Sequence, residues 1–341
     1  MAERVFNVIQ TGEQTGTFAA PGAAVAATVI IPGAVATWPP LDRGSGWPDE
    51  DRGRNARNAS GRMHHGARGV GFGLSGEARF ADLQYLLEMH GAGNIVPTGL
   101  GPYVWTTKIE VGAPTIQPRT IQMGSETVQD QWQVRSVLVD ELTVSFDDLA
   151  APGYNPFTFD ASCLGFDRTP TALTASLSPL AAAMETMQGL YATIKEGTTA
   201  TAFASLAEVS GSLVAFSITT TRHLVRRIYG GTSDIPTSFG YSERTSGEVT
   251  AKIRVGAAAK AAFGDIYEVA GAVGSERRWR IAIDGGGNNA ATLDFRIGIT
   301  GVDPDEREGE GVYSVKGELV DDSTLDALAT WGITNDITAL V

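Results

Sequence analysis

The sequence has very little of the chemistry on which enzymes and metal sites depend. It contains one cysteine, Cys163, and four histidines among 341 residues. A single cysteine excludes a disulfide within the chain and any site built from several cysteines. The sequence also contains no GxSxG, HExxH or Walker A motif. These absences predict a protein that is not an enzyme and that holds no cofactor and no metal.

Positive charge and long apolar runs are scarce as well. Lysine and arginine number 26 against 39 acidic residues, so the formal net charge is −13. Such a chain is unsuited to gripping nucleic acid, because binding surfaces place basic side chains against phosphates. Residues 23–36 are apolar but are interrupted by Pro32 and Gly33, and residues 1–20 lack the pattern of a signal peptide. We therefore expect a protein made in a cytoplasm, with no membrane partner.

What the sequence does contain points to β-structure. Glycine is frequent, at 41 residues, and it supplies the positive φ angles of tight turns. Apolar residues alternate with polar ones or glycine in many short segments, which is typical of half-buried strands. Strands are predicted at residues 69–74, 103–111, 132–147, 213–221, 248–255, 278–284, 291–300 and 311–320. Asp140-Glu141 interrupts the segment at residues 132–147, which predicts a hairpin turn or a bulge there.

Two helices are predicted, one in each half of the chain. Residues 80–90 carry apolar side chains at helical spacing, and residues 257–270 are rich in alanine. The triplet Ser-Gly-Glu occurs at residues 75–77 and again at 246–248, and Trp105 and Trp279 each begin a predicted strand. We therefore predict a duplicated, mainly β chain with one short helix per domain, arranged as two tandem β-sandwich domains at residues 1–165 and 166–341.

Residues 38–68 form the longest stretch without apolar periodicity. Thirty residues without regular structure are uncommon inside a compact domain and are usually a functional loop or an interaction arm. Charges of both signs are mixed along this stretch, at Arg43, Asp49, Glu50, Asp51, Arg52, Arg54, Arg57 and Arg62.

Several motifs have ordinary structural interpretations. Residues 71–76 fit G-x-G-x-x-G, but the glycines fall inside an alternating strand, so close strand packing is favoured over dinucleotide binding. His64 and His65 are expected to be solvated loop residues. His223 lies among three arginines, which predicts either an ion-pair surface between subunits or a solvated strand end. The acidic residues within 303–310 are expected to form a solvated connection.

The order of these segments resembles a known family. A strand leads into the helix sequence GEARFADLQYLL, which is followed by PYVWTTKIEV and then by WQVRSVLVDELTVSF. Residues 324–336 read TLDALATWGITND. This succession resembles the tail tube proteins (major tail proteins) of long-tailed bacteriophages, in the form that carries two tube-type domains.

The resemblance implies a structural virion protein. Its domains would contribute strands to an oligomeric β-barrel ring of three chains with pseudo-hexameric symmetry, or of six chains without duplication. Stacked rings would form the phage tail in the virion, after assembly in the host cytoplasm with other phage tail proteins. DNA would pass through the channel without specific binding, along an acidic lumen for which the candidates are Glu77, Glu110, Glu248 and Glu318. Residues 38–68 would then form the inter-ring loop.

Two other interpretations stay open at this point. The first is another virion or surface-layer β-structural protein, such as a capsid decoration protein. The second is a carbohydrate-binding β-sandwich in which Trp105, Trp132 and Trp279 form a sugar platform. These tryptophans fall on predicted strands rather than loops, which favours packing in a core or an interface.

Overall fold

The structure is a computed structural model of a mainly antiparallel β protein. It describes residues 5–16, 20, 22–37, 39, 41–46, 64–93, 97–111, 116–125, 130–147, 155–177, 185–209, 213–227, 236–254, 256, 259, 275–307 and 310–337. One α-helix lies in this part of the chain, α1 at Asp82–His90. The second predicted helix, at residues 257–270, lies outside the described residues except for residue 259.

The first half of the chain supplies twelve strands. They are β1 (Val5–Phe6), β2 (Val8–Glu13), β3 (Val29–Ile30), β4 (Val35–Thr37), β5 (Leu41–Gly46), β6 (His64–Glu77), β7 (Ala92–Gly93), β8 (Tyr103–Ile109), β9 (Arg119–Gly124), β10 (Gln131–Asp147), β11 (Thr158–Gly165) and β12 (Asp167–Pro170).

The second half supplies ten more. They are β13 (Ala192–Thr198), β14 (Ala207–Glu208), β15 (Leu213–Thr221), β16 (Leu224–Arg227), β17 (Ser238–Tyr241), β18 (Ser246–Arg254), β19 (Glu276–Gly286), β20 (Asn289–Arg307), β21 (Glu310–Val320) and β22 (Ala329–Asn335). The predicted mainly β fold is therefore confirmed.

Eight strands from both halves form one antiparallel succession, which we call the long sheet. Its order is β5–β6–β11–β10–β15–β18–β21–β20. The halves meet where residues 141–147 of β10 pair with residues 215–221 of β15. Strand hydrogen bonding thus crosses the middle of the chain without a break.

Two long strands, β10 and β20, connect the long sheet to further strands. The first part of β10 pairs with β9 and β12, and its second part pairs with β11 and β15. The first part of β20 likewise pairs with β19 and β22, and its second part pairs with β21. Each long strand changes partners part-way along, so it belongs to two layers of the fold.

The same connectivity occurs twice. Strands β9–β10–β11–β12 follow the pattern of β19–β20–β21–β22, and each β10–β11 or β20–β21 hairpin carries a bulge, between Val139 and Glu141 or between Ile299 and Gly301. Strands β6 and β18 occupy matching places beside β11 and β21. This correspondence supports an internal duplication.

The sequence cues for that duplication are not in matching positions. Glu77 is the last residue of β6, whereas Glu248 is the third residue of β18. Trp105 lies on β8, which pairs with β22, and Trp279 lies on β19, which pairs with β20. The division at residue 165 stays a prediction. Because β12 continues the pairing of β11 along β10, the topology favours a boundary after residue 170.

The predicted helix of the first half is confirmed as α1, and this helix is buried on every side. All nine of its residues are buried, including the polar Asp82, Gln84 and Glu88. Glu88 forms a 2.6 Å ion pair with the fully buried Arg119 of β9. A buried carboxylate is expensive unless it is paired, so this contact fixes the helix against the sheet.

Strand pairing decides three further predictions. Asp140-Glu141 lies at a bulge within one continuous 17-residue strand, β10, which confirms the bulge and not the hairpin turn. Residues 303–307 continue β20 and pair with β21, so they are not a loop. Within residues 38–68, residues 41–46 and 64–70 form a paired hairpin that includes the two histidines, and residues 47–63 lie outside the described residues.

Arg222 is buried and so does not belong to a surface, whereas His223 and Arg226 are half-buried and Arg227 is exposed, so both expectations stay open for these three residues. Arg222 lies directly after β15 and donates to the carbonyl oxygens of His90 and Glu110 at 2.5 and 2.6 Å. His90 is fully buried as well. Its Nδ1 lies 3.0 Å from the carbonyl oxygen of Val139, and its Nε2 lies 2.7 Å from the Thr220 hydroxyl. These contacts join the end of α1 to the seam between the two halves.

The surroundings of His90 keep its imidazole neutral. Burial, and secondarily the nearby Arg222 charge, lower the pKa of His90 to about 3. A carbonyl oxygen can only accept, so Nδ1 carries the proton and Nε2 accepts from Thr220. The unfolded chain, with an ordinary histidine pKa near 6.5, binds a proton more readily than the folded one. The stability that depends on neutral His90 is present above pH 6.5 and is lost as the pH falls.

We therefore expect His90 to steepen acid unfolding. Between pH 6 and pH 4, the free energy of unfolding of the native chain should fall by about 1 kcal/mol per pH unit more than that of His90→Gln. Denaturant unfolding at several pH values measures both slopes. Equal slopes would show that His90 does not titrate on unfolding. The variant is the matched control for the carboxylates, which titrate in both chains.

Candidate functional site

The candidate site is the solvent-facing side of the long sheet, which we call the polar face. Along each strand, residues alternate between this face and the core. Most of the polar side chains of this face carry a hydroxyl or a carboxylate. They stand at outward positions of β6, β11, β10, β15, β18 and β21. They are Ser75, Glu77, Thr158, Asp160, Ser162, Glu141, Thr143, Ser145, Asp147, Ser217, Thr219, Thr221, Ser246, Glu248, Thr250, Lys252, Arg254, Ser314, Lys316 and Glu318.

The opposite side of the same strands is apolar and buried. It carries Phe72, Leu74, Leu142, Val144, Phe146, Phe159, Ala161, Cys163, Phe216, Ile218, Val249, Ala251, Ile253, Val315 and Leu319. The predicted buried, inert Cys163 is confirmed here, and burial raises the pKa of its thiol. A sheet with one buried and one solvated face explains the strict alternation in these segments.

Hydroxyl groups make cross-strand contacts on the polar face, and two of these contacts span the seam between the halves. The hydroxyl oxygens of Thr143 on β10 and Thr219 on β15 are 2.8 Å apart. Thr221 donates to a Glu141 carboxylate oxygen at 3.2 Å. Pairs of this kind contribute to sheet stability and fix side-chain positions. The polar face is therefore one continuous surface made by both halves.

Two of the four predicted lumen acids lie directly opposite one another. Glu248 on β18 is the register partner of Glu318 on β21, and both side chains are exposed. Like charges in directly opposed positions destabilise a sheet. The two carboxylates therefore form an unfavourable cross-strand contact on this face.

The other two predicted acids differ in position. Glu77 ends β6 on the polar face, half-buried, and accepts a hydrogen bond from the Thr186 hydroxyl at 3.3 Å. Glu110 follows β8, which pairs with β22 and not with the long sheet, so the structure does not bring it to the polar face. Its carbonyl oxygen instead accepts from Arg222.

Sequence reasoning missed three acids of this face. Glu141, Asp147 and Asp160 stand at outward positions of β10 and β11. The signal was available for the first two, since they alternate with Leu142, Val144 and Phe146 along one strand. Because residues 132–147 were interpreted as two strands, the continuous alternation of outward and inward residues along them was not recognised.

The residues predicted for the inter-ring loop cannot be placed in the same way. Arg43 lies on β5, whose backbone pairs with β6. Asp49, Glu50, Asp51, Arg52, Arg54, Arg57 and Arg62 lie outside the described residues. Their role stays a prediction.

Two adjoining depressions mark one rim of the polar face. The first, of about 640 Å³, is lined by Phe146, Asp147, Phe216, Lys252, Lys316 and their neighbours at the ends of β10, β15, β18 and β21. The second, of about 680 Å³, is lined by residues that include Glu77, Arg79 and Asp160. Ser145 and Thr158 line both, so the two depressions are continuous.

The tryptophans proposed for a sugar platform are not arranged as one. Trp105 and Trp279 are fully buried, and the Trp105 ring nitrogen donates to Asn335. Trp132 is partly buried under the Arg168 guanidinium, which lies 4.5 Å from the ring centroid. None of the outward residues of the polar face named above has an aromatic side chain. Core packing, the alternative favoured from sequence, is confirmed for Trp105 and Trp279.

No family model matches the sequence, and no curated protein matches it. Among the described residues, no group of three or more His, Cys, Asp or Glu side chains is placed to hold a metal ion. No helix in the described part of the chain is long and apolar enough to cross a membrane.

The opposed pair Glu248 and Glu318 leads to a stability prediction. Glu248→Gln should raise the free energy of unfolding by about 0.5 kcal/mol, because it removes a like-charge cross-strand contact. The gain should shrink in high salt, which screens exposed charges. Denaturant unfolding at two salt concentrations measures both effects.

Glu208→Gln provides the control, since Glu208 is an exposed strand acid on β14, away from this pair. A gain of equal size in the control would show that the effect reflects net charge alone and not the opposed pair.

Proposed function

We propose that this chain is a structural virion protein that polymerises as stacked rings into the tail tube of a long-tailed bacteriophage. In this proposal the polar face lines the channel through which DNA passes. The proposal follows from the resemblance described above and from the properties of the long sheet. Its partners are further copies of the same chain and other tail proteins.

The observation that carries the proposal is a single sheet, built by both halves, with one apolar and one polar side. A face of hydroxyls and carboxylates, without aromatic side chains, suits a wall along which a charged polymer slides. The outward residues of the polar face named above include six carboxylates and three cations: Glu77, Glu141, Asp147, Asp160, Glu248 and Glu318 against Lys252, Arg254 and Lys316. An acidic wall repels phosphates and avoids the grip that counterion release gives a basic one.

The ends of the long sheet support assembly by strand pairing. Among the described residues, β5 pairs only with β6, and residues 300–307 of β20 pair only with β21. An exposed strand edge presents unpaired N–H and C=O groups, which a strand of another chain can satisfy. Joining β20 of one chain to the β5 edge of the next would extend the sheet around a ring.

The size of such a ring is compatible with a channel. Three chains of eight strands give about 24 strands, and with strands ~4.8 Å apart and tilted ~35–45° the barrel radius is about 22–26 Å. Barrels of 22 strands already enclose a wide lumen. The duplicated connectivity would give this three-chain ring approximate sixfold symmetry.

Electron microscopy of the purified protein tests the proposal directly. We expect rings and stacked cylinders with an axial bore, and a mass for the smallest assembly of three chains. A chain that stays a single compact molecule at high concentration would contradict it.

Hydrogen exchange tests which edges form the ring. On assembly, amides in residues 300–307 and 41–46 should become at least tenfold more protected, because their free edges gain hydrogen-bond partners. Amides of β11 are the internal control, since that strand is already paired on both sides by β6 and β10. Equal changes in β11 would point to general stabilisation instead of edge pairing.

The alternative, another virion or surface-layer protein, would also use the strand edges and the polar face. An axial bore in electron micrographs would favour the tail tube over this alternative. The burial of Trp105 and Trp279 argues against the carbohydrate-binding alternative, because a sugar platform needs exposed rings.

A further inference from the structure

Strand β1 covers part of one edge of the long sheet. Val5 and Phe6 pair with Thr37 and Ala36 of β4, and β4 pairs on its other side with β6. Phe6 is buried in the apolar core. Two residue pairs hold β1 in this place, and the chain then enters β2, which pairs with β9 in the other layer. Such a short strand covers an edge that another strand could otherwise use.

The duplicated connectivity shows which strand of the second half corresponds to β4. We compared the two rows of register partners that begin opposite the second residue after the bulge of β10 or β20. In the first half this row is Ala161 of β11, Leu74 of β6 and Ala36 of β4. In the second half it is Val315 of β21, Ala251 of β18 and Phe216 of β15. Strand β4 therefore corresponds to β15.

These two strands differ in what covers their outer edge. Phe216 of β15 pairs there with Phe146 of β10, whereas Ala36 of β4 pairs there with Phe6 of β1. Phe146 and Phe6 are both buried. Strand β1 therefore takes the place in the first half that β10 takes at the seam.

Backbone hydrogen bonds identify the counterpart of β1 in the second half. The Ile31 N–H donates to the Ile9 carbonyl oxygen, and the Val209 N–H donates to the Ile194 carbonyl oxygen, both at 2.9 Å. Both acceptor residues are buried in the core, so Ile9 corresponds to Ile194. The residues three and four places earlier are Phe6 and Val5 in the first half, and Tyr191 and Leu190 in the second.

This counterpart has a different conformation from β1. Leu190 and Tyr191 belong to a 3₁₀-helix at Gly189–Tyr191 and are 67% and 53% exposed. Gly189 packs so closely on the Phe146 ring of β10 that a Cβ there would lie 2.2 Å from it. The same segment is therefore a paired strand where the edge has no other partner, and an exposed turn where β10 occupies the edge.

Strand β20 carries the counterpart of the seam strand. Glu141 and Gly301 are the first residues after the two bulges, so residues 301–307 correspond to residues 141–147 of β10. Residues 304 and 306 are Pro and Glu, where β10 carries Val144 and Phe146. Residues 301–307 would thus bury less apolar surface against an edge than β10 does, and β1 can compete with them for it.

We infer that the edge of β4 binds residues 301–307 of another copy of the chain, and that β1 leaves this edge when that copy binds. The inference rests on the proposed function and adds a control on assembly, because β1 covers the edge of a free chain. The register of the seam places Glu306 of the neighbour opposite Ala36, where Phe6 pairs in the free chain.

A reversible disulfide tests the inference on the full-length chain. Val5 and Thr37 are register partners, and such partners in antiparallel strands have Cα atoms about 4.5–5.5 Å apart, which a disulfide can bridge. Oxidised Val5→Cys/Thr37→Cys should form at least tenfold less ring and cylinder than its reduced form, because β1 cannot leave β4. Dithiothreitol should restore assembly. The native Cys163 is fully buried and should not react.

Thr143→Cys/Thr219→Cys is the matched control. It joins β10 to β15 across the seam, where the two native hydroxyl oxygens are 2.8 Å apart, and the seam does not open on assembly. This variant should assemble equally well oxidised and reduced. An equal loss in both oxidised variants would assign the effect to disulfide formation in general and overturn the inference.

Two further outcomes separate the inference from the proposed function. If oxidised Val5→Cys/Thr37→Cys forms cylinders as readily as its reduced form, the inference is wrong and the tail tube proposal stands. If the native chain forms neither rings nor cylinders, both fall.

Hydrogen exchange of the native chain gives a measurement without substitution. On assembly, the amides of residues 5 and 6 should exchange at least tenfold faster, because β1 loses its pairing with β4. Amides of β2 are the internal control, since β2 keeps its pairing with β9. Slower exchange at residues 5 and 6 in the assembled protein would show that β1 stays in place.

Discussion

The pairing of β10 with β15 is the constraint on which the rest of the structure depends. Seven consecutive residue pairs, from Glu141 with Thr221 to Asp147 with Ala215, join the two halves. Because side chains alternate along both strands, this register places the polar residues of both halves on one side and the apolar ones on the other. A slip of one residue would reverse every side chain of one half. The polar face and the shared core exist only in this register.

The interior at the end of that seam is polar, and several of its buried groups are hydrogen-bonded to one another. Arg222 follows β15 and donates to His90 and Glu110, while His90 contacts Val139 and Thr220. These residues come from α1, β10, β15 and the segment after β8. Buried polar groups are costly when unpaired, so the contacts specify one arrangement of these elements. The surface that faces solvent is thereby positioned by a network on the opposite side of the sheet.

The long strands explain how a duplicated chain makes one sheet and also a second layer. Strands β10 and β20 each pair with one set of neighbours in their first part and another set in their second part. The bulges in both hairpins lie near the change of partners. Bulges bend a strand and increase its twist, which allows one strand to pass from one layer to another. Both halves therefore use the same device to leave an eight-strand surface free.

The alternation of apolar and polar residues predicted strands correctly where one side of the strand is buried and the other is exposed. Residues 213–221 alternate strictly, and β15 has those bounds. The helix was recognised from its apolar spacing, but its polar residues gave no sign of burial, because a buried Glu88 depends on Arg119 from a distant strand. The burial of Arg222 was missed for the same reason, since Arg222 finds its partners in other elements. The Ser-Gly-Glu triplets suggested the duplication, yet strand register places them at different points of their strands.

The sequence by itself determined the β class, the alternation that makes one face polar, and the absence of a disulfide within the chain, since these follow from residue type and period. The tertiary structure decided which strands are neighbours, and therefore that Glu248 opposes Glu318, that Glu110 lies elsewhere, and that lysines and carboxylates form adjoining depressions. Antiparallel pairing brings together residues far apart in the chain, and its register is set by backbone hydrogen bonds and by burial across the whole sheet. Neither is encoded in any single segment.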